Sequence, residues 1–195
     1  MLNGALGALL LLSSIAGAQD DVAIPDAAKP FVAAGARPLA FEVADLNRDG
    51  RPDAILVLEP TLKPGDDALA ERPRQLLVLV GQPDGAYREA RRNAKVVYCS
   101  TCGGVMGDPF QGIAAGPGTF TVHNAGGSSW RWGVEYTFNY SRRDDSWQLV
   151  RVAETTFHAS DPKGPKDTVS TPPKHFGKID IAAFDPEHWK NQGPR

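Results

Sequence analysis

Trp130, Trp132, Val134, Tyr136, Phe138 and Tyr140 fall on alternate positions, with Arg131, Glu135, Thr137 and Asn139 among the residues between them. Period two is the repeat of an extended chain that turns one face to a core and the other to water. A strand this long must find hydrogen-bonding neighbours, so this pattern commits the chain to a sheet. Two further runs, Ala54-Ile55-Leu56-Val57-Leu58 and Leu76-Leu77-Val78-Leu79-Val80, are apolar at every position. Such runs predict strands covered on both faces. With 20 Gly and 16 Pro in 195 residues, turns are many and long helices few.

The remaining elements follow from the same reading. Arg142-Arg143-Asp144-Asp145 makes a turn, and residues 147–152 return antiparallel. Their apolar residues change parity between Leu149 and Val150, which predicts a bulge. Residues 39–44 and 120–123 read as strands, and Gly81-Gln82-Pro83-Asp84-Gly85 as a hairpin turn into Ala86-Tyr87-Arg88-Glu89. One short helix fits at 26–32. Residues 60–73 are expected as an exposed loop, 103–119 as irregular chain around Asp108-Pro109-Phe110, and 160–173 as a solvated linker. Residues 176–184 carry enough apolar side chains to dock on the core. The expected fold is mostly β, a single antiparallel β-meander domain.

The first eighteen residues read differently. Residues 5–12 are apolar or Gly, and Ala16 and Ala18 satisfy the small-residue rule for signal peptidase, with cleavage before Gln19. The run is too short to span a bilayer of about 30 Å as a helix. No cysteine follows it, so no lipid anchor is expected. The chain is thereby divided into a signal peptide (1–18), a β domain (19–160), and a linker with a docking C-terminal segment (161–195), placed in the periplasm or outside the cell. A formal net charge of −2 gives no basic field for nucleic acid. The basic residues Arg88, Arg91, Arg92 and Lys95 read as a solvated face.

Export puts Cys99-Ser100-Thr101-Cys102 in an oxidising space. A redox site of thioredoxin type calls for a helix that starts within the pair and depresses a thiol pKa; here Gly103-Gly104 follow, and Gly is a poor helix former. A zinc site calls for about four nitrogen or sulfur ligands, whereas His123, His158, His175 and His188 show no paired spacing. A structural disulfide is the favoured reading, although closing so short a loop is worth only about 2 kcal/mol.

The chemistry-bearing stretch is Asp45-Leu46-Asn47-Arg48-Asp49-Gly50-Arg51-Pro52-Asp53. Oxygen-bearing side chains stand at 45, 47, 49 and 53, and the carbonyl of Arg51 fills the gap in the series. Calcium takes about six to eight hard oxygen ligands, and carboxylates with a carbonyl supply them. Gly50 permits the positive φ by which such a loop curls round a point. Arg48 and Arg51 could partly offset the charge of the three aspartates, but alternating geometry is expected to point them outward. An EF-hand needs a bidentate Glu at loop position 12, but that position is Leu56, inside the apolar run. The competing reading is an Asx-rich hairpin turn without metal.

The stretch from Asp45 to Asp53, with Ala54-Ile55-Leu56-Val57 after it, resembles the calcium loop of FG-GAP or VCBS-type repeats, familiar from the β-propellers of integrin α chains. The resemblance implies Asp45, Asn47, Asp49, Arg51 (through its carbonyl) and Asp53 as Ca2+ ligands, and hairpins like those of a propeller blade. It covers about one blade, and only one such loop is present, so a full propeller is excluded. Cys99-Ser100-Thr101-Cys102-Gly103-Gly104, Gly126-Gly127-Ser128-Ser129-Trp130-Arg131-Trp132 and Phe176-Gly177-Lys178-Ile179 together resemble an uncharacterised family of exported bacterial proteins. That likeness spans most of the mature chain and implies one coherent unit.

Two functional readings follow. The first is an exported, calcium-stiffened β domain that binds a protein or an envelope component, without catalysis. The second is an envelope polysaccharide or peptidoglycan hydrolase using carboxylates, although no spacing selects a catalytic residue. Trp130 and Trp132 are candidates for stacking a sugar ring, but core placement is the more economical expectation for residues of one parity on one strand.

Overall fold

Ile55 and Val57 point to one side of their strand and Ala54, Leu56 and Leu58 to the other, yet all five are buried. In the computed structural model, which describes residues 22–161 and 163–191, this follows from a sheet sandwiched between two layers. Strands β1 (Ala36–Ala44), β2 (Asp53–Pro60), β3 (Gln75–Gly81) and β4 (Tyr87–Asn93) form an antiparallel meander in that order. One side of β2 and β3 packs into the main core through Ile55, Val57, Leu76, Val78 and Val80. The other side, with Leu56, Leu58, Leu77 and Leu79, is closed by Ala28, Phe31 and Val32, on and just after the 3₁₀ helix Asp26–Phe31. Each fully buried aliphatic side chain contributes about 2 kcal/mol, which makes the β2–β3 pair the densest source of stability in the chain.

The second sheet is a meander of β5 (Phe110–Gly116), β6 (Thr119–Gly127), β7 (Trp130–Ser141), β8 (Ser146–His158) and β9 (Lys166–Ser170). Its inner face supplies Phe120, Val122, Val134, Tyr136, Phe138, Trp147, Leu149 and Val152 to the main core. The parity change in β8 is a bulge. Thr137 pairs with Arg151 and Phe138 with Leu149, so Val150 is passed over and Leu149 and Trp147 face inward again. The fold is therefore mostly β, with two antiparallel sheets of four and five strands.

Two segments differ from the expectation drawn from sequence. Residues 103–119 are not irregular throughout, because Phe110–Gly116 pairs with β6. Residues 160–173 are not simply a linker, because Lys166–Ser170 pairs with β8 at the sheet edge. Ladder hydrogen bonds come from the backbone, so glycines at 112 and 116 and four exposed residues in β9 do not prevent pairing. The C-terminal segment then buries Phe176, Ile179, Ile181, Phe184 and Trp189 in the main core. Asn93 Nδ2 holds it by donating to the carbonyls of Ile181 (2.7 Å) and Phe184 (2.8 Å). The leader and its cleavage position lie outside the described residues. No helix among the described residues is long and apolar enough to cross a membrane.

Arg74, only 1% exposed, sits just before β3 and stitches that end of the molecule. Its guanidinium donates to Glu59 Oε1 (3.0 Å) on β2, to Asp108 Oδ1 (2.7 Å) and to the carbonyl of Tyr98 (2.9 Å). A buried charge is tolerable only when paired, and removing one partner strands the others. Arg74→Ala is expected to lower unfolding stability by about 3 kcal/mol in urea denaturation, and Arg74→Lys, which keeps the charge but loses the fork, by less.

Candidate functional site

The loop between β1 and β2 carries the five sequence-predicted ligand positions, and the structure places it where the two sheets meet. Leu46 is fully buried in the main core, and its carbonyl accepts from Trp147 Nε1 at 2.9 Å. The Asp45 carbonyl accepts from the amide of Gly118, in the β5–β6 turn, at 2.8 Å. Asp53, fully buried at the start of β2, accepts from the amides of Gly81 (2.9 Å) and Asn47 (3.1 Å). The loop is thus tied to β3, to the β5–β6 turn and to β8 at once.

Within the loop, side-chain oxygens cap backbone amides in succession. Asp45 accepts from the amides of Asp49 and Gly50 at 3.0 Å each, Asn47 from Asp49 at 2.9 Å, and Asp49 from Arg51 at 2.9 Å. Gly50 has φ +86°, as the curl requires, and Arg48 shares the left-handed region at φ +61°. The expectation that both arginines point outward is corrected. Arg51 folds back to pair with the Asp49 carboxylate, because charge compensation outweighs solvation there, and its Nε donates to the Gly81 carbonyl at 3.2 Å. The Arg48 side chain lies against Gly118 and donates to the Pro117 carbonyl at 3.4 Å.

The electrostatics of the loop favour positive charge. Burial pushes the Asp53 carboxyl above its usual range, and the nearby Asp49 adds to the rise, against the backbone amides that pull it down. Burial also works against ionised Asp49, but hydrogen bonds from Arg51 and Asn47 and the Arg51 charge hold it below the usual range. Tyr140, at the end of the β7 strand, is pushed up to about 12 by burial, by its bond to Asp145 and by the charges of Asp145 and Asp49. The loop aspartates do not bring three carboxylate oxygens within 4.8 Å of one another. A cation there would draw Asp45, Asp49 and Asp53 inward from the amides they now cap.

Among the described residues, the three-membered acidic or histidine group that close is Asp185, Glu187 and His188, which the sequence reading passed over. The pair of acids and a histidine within four positions was the available signal. Lys95 Nζ already sits 2.5 Å from Asp185 and neutralises it. Of the basic residues read as a solvated face, Arg88, Arg92 and Lys95 are exposed, and three of the four carry partners. Besides Lys95, Arg92 pairs with Glu89 at 2.7 Å, and Arg91 donates to Ser146 Oγ at 2.8 Å. The two candidate stacking tryptophans are split: Trp132 packs on Tyr98, rings 5.7 Å apart, whereas Trp130 is 66% exposed with its edge against His158. Cys99 and Cys102 form the expected disulfide. The outer face of the five-stranded sheet holds a shallow cavity of about 510 Å³. Small residues Ala125, Gly133 and Ala153 floor it, and Glu135 sits between His123 (3.5 Å) and Arg151 (2.8 Å).

Comparison of the chain with family models, curated proteins and solved structures gives no match.

The Asp185 carboxyl is held down at about 2, chiefly by the Lys95 hydrogen bond, with the Glu187 amide and His188 helping against burial. A carboxylate whose folded pKa lies below its unfolded value of about 3.9 stabilises the fold above that value. That contribution is lost as the pH falls from about 4 to about 2. Urea midpoints measured across this window are expected to fall less steeply for Asp185→Asn than for the wild type.

Proposed function

We propose that this protein is an exported β domain, stiffened by one calcium ion, that binds a protein or an envelope component through the open face of its five-stranded sheet. The observation that carries the calcium reading is the position of the Asp45–Asp53 loop. It sets Asp45, Asn47, Asp49 and Asp53 on one short loop at the junction of both sheets, with Asp53 buried and bound to two backbone amides. These are hard oxygen donors of the kind calcium takes. Asp45, Asn47, Asp49 and Asp53 would hold the ion with the Arg51 carbonyl, and Arg51's guanidinium would give up Asp49. The FG-GAP or VCBS-type likeness of the loop supports the same ligand set.

Binding a cation at this point adds its free energy to the folded state alone, as RT ln(1 + [Ca]/Kd). Because the loop holds β2, β3, β8 and the β5–β6 turn, the gain is shared by both sheets rather than by one hairpin. The reading of a binding domain rests on the contrast between the sheets. The four-stranded sheet is covered on both sides, while the outer face of the other presents small residues and the His123–Glu135–Arg151 cluster to solvent. Pull-down with envelope extracts, with and without chelator, tests the partner reading, and glycan cleavage in the same extracts would replace it with a hydrolase.

At a calcium concentration about a hundred times Kd, stabilisation is about 2.7 kcal/mol. For a domain of this size that raises Tm by about 5–10 °C. Asp49→Ala is expected to abolish the calcium-dependent rise. Identical melting of the wild type in calcium and in chelator would remove the metal from the account.

A further inference from the structure

We propose that the Cys99–Cys102 disulfide is a thiol–disulfide exchange site for a polypeptide dithiol, with Cys102 the sulfur attacked and Cys99 the sulfur released. Three observations carry it: an asymmetry of access, a loop held by backbone packing around the pair, and exposed apolar residues on the turn that follows it.

Exchange proceeds by attack of a thiolate in line with the sulfur–sulfur bond, so the approach to the attacked sulfur must be open on the side away from the leaving sulfur. Cys99 is 6% exposed and Cys102 is exposed. Both line a groove of about 610 Å³ together with Arg72, Lys95, Tyr98 and Glu187. Cys102 is therefore the half of the pair open to solvent, and Cys99 is shielded. Thr101 Oγ1 lies 3.3 Å from Cys99 Sγ, where its hydroxyl can donate to a departing thiolate.

The loop around the pair is held by backbone packing. The Gly127 amide donates to the Gly103 carbonyl at 2.8 Å, and a Cβ on Gly126 would stand 2.8 Å from Gly103 Cα. A Cβ on Gly103 would stand 2.0 Å from the Gly107 carbonyl oxygen. Arg74 fixes the flanks through the Tyr98 carbonyl and Asp108. A disulfide spanning three positions closes a small ring and restrains the unfolded chain little. Opening it leaves the loop in place, which a site that cycles between two redox states needs.

Val105 (86% exposed) and Met106 (54%) follow the pair on a 3₁₀ turn, and Trp130 (66%) caps the hairpin tip onto which Gly103 is bonded. Exposed apolar side chains on the turn that directly follows Cys102 suit a polypeptide with apolar residues beside its cysteines. In the first step its thiolate attacks Cys102 Sγ. A bond forms between those sulfurs, the Cys99–Cys102 bond breaks, and the electron pair leaves on Cys99, which takes a proton from water. In the second step the other thiolate of the dithiol attacks its own bridged sulfur and expels Cys102. The dithiol loses two electrons and becomes a disulfide; this chain gains two electrons and two protons.

The test reduces the folded wild type with dithiothreitol, alkylates with iodoacetamide and maps the product by mass spectrometry, with circular dichroism and melting recorded on the reduced form. Expected are reduction without unfolding, a Tm lowered by a few degrees at most, and modification of Cys102 at least tenfold faster than of Cys99. Incubated with oxidised glutathione, Cys99→Ser is expected to trap a mixed disulfide on Cys102, and Cys102→Ser to trap at least tenfold less. Reduced two-cysteine peptides with Leu and Phe flanks should exchange with the wild type several-fold faster than peptides with Gly and Ser flanks, a preference that Met106→Ser diminishes. Reduction that occurs only on unfolding, equal alkylation of both cysteines, or equal rates for the two peptides overturns the proposal.

Discussion

Burial of both faces of β2 and β3 is the constraint on which the other elements depend. A strand with no polar face cannot lie at a surface, so the chain must supply two covers, and it does so from its two sides in sequence. The segment around Ala28, Phe31 and Val32 closes one face. The five-stranded sheet and the C-terminal residues Phe176 to Trp189 close the other. The cost of this arrangement falls on polar groups at the strand ends, which are drawn into the interior and must be paired there. At one end Arg74 is paired with Glu59 and Asp108; at the other Asp53 takes two backbone amides. The candidate site and the disulfide loop each grow out of one of these ends.

The two ends solve the same problem with opposite charge. Arg74 is a cation whose partners are fixed carboxylates, so its charge is balanced within the protein. Asp53 is an anion satisfied by dipoles, with Asp49 close enough to raise its carboxyl further. Amide hydrogen bonds stabilise a carboxylate without cancelling its charge, so the two ends differ in how their charge is balanced.

Legibility from sequence followed the dependence of each element on side chains. The β7 alternation, the double burial of β2 and β3, and the bulge at Val150 are written in apolar positions, and they were readable there. Strands β5 and β9 carry few apolar side chains (Phe110 and Ile113 in one, Val169 in the other) among glycine, alanine and polar residues, and neither shows a clear alternation. The disulfide was legible because the two cysteines stand close in sequence. The engagement of Arg51 with Asp49, by contrast, depends on how a loop closes, and alternation along an extended chain is the wrong guide inside a turn with two left-handed residues. The same holds for Trp130 and Trp132: one parity placed them on one face, but only the three-dimensional edge of the sheet separates a tryptophan on the core from one at a free tip.

Strand β6 joins the two proposals and also keeps them apart. Its first residue, Thr119, follows the turn whose Gly118 amide binds the Asp45 carbonyl, and its last, Gly127, holds the disulfide loop through Gly103. Eight steps at about 3.4 Å each place Thr119 and Gly127 about 27 Å apart. That exceeds the screening length of about 8 Å at physiological ionic strength several times over. A calcium ion at one end therefore cannot tune the thiol chemistry at the other by its field; coupling would have to pass through the stiffness of the sheet. Strand β6 is paired with β7 from Thr119 to Gly127 and with β5 from Thr119 to Asn124, which holds it in place on both sides over most of its length. The two proposals therefore stand on separate ends of one frame, and the failure of either leaves the other standing.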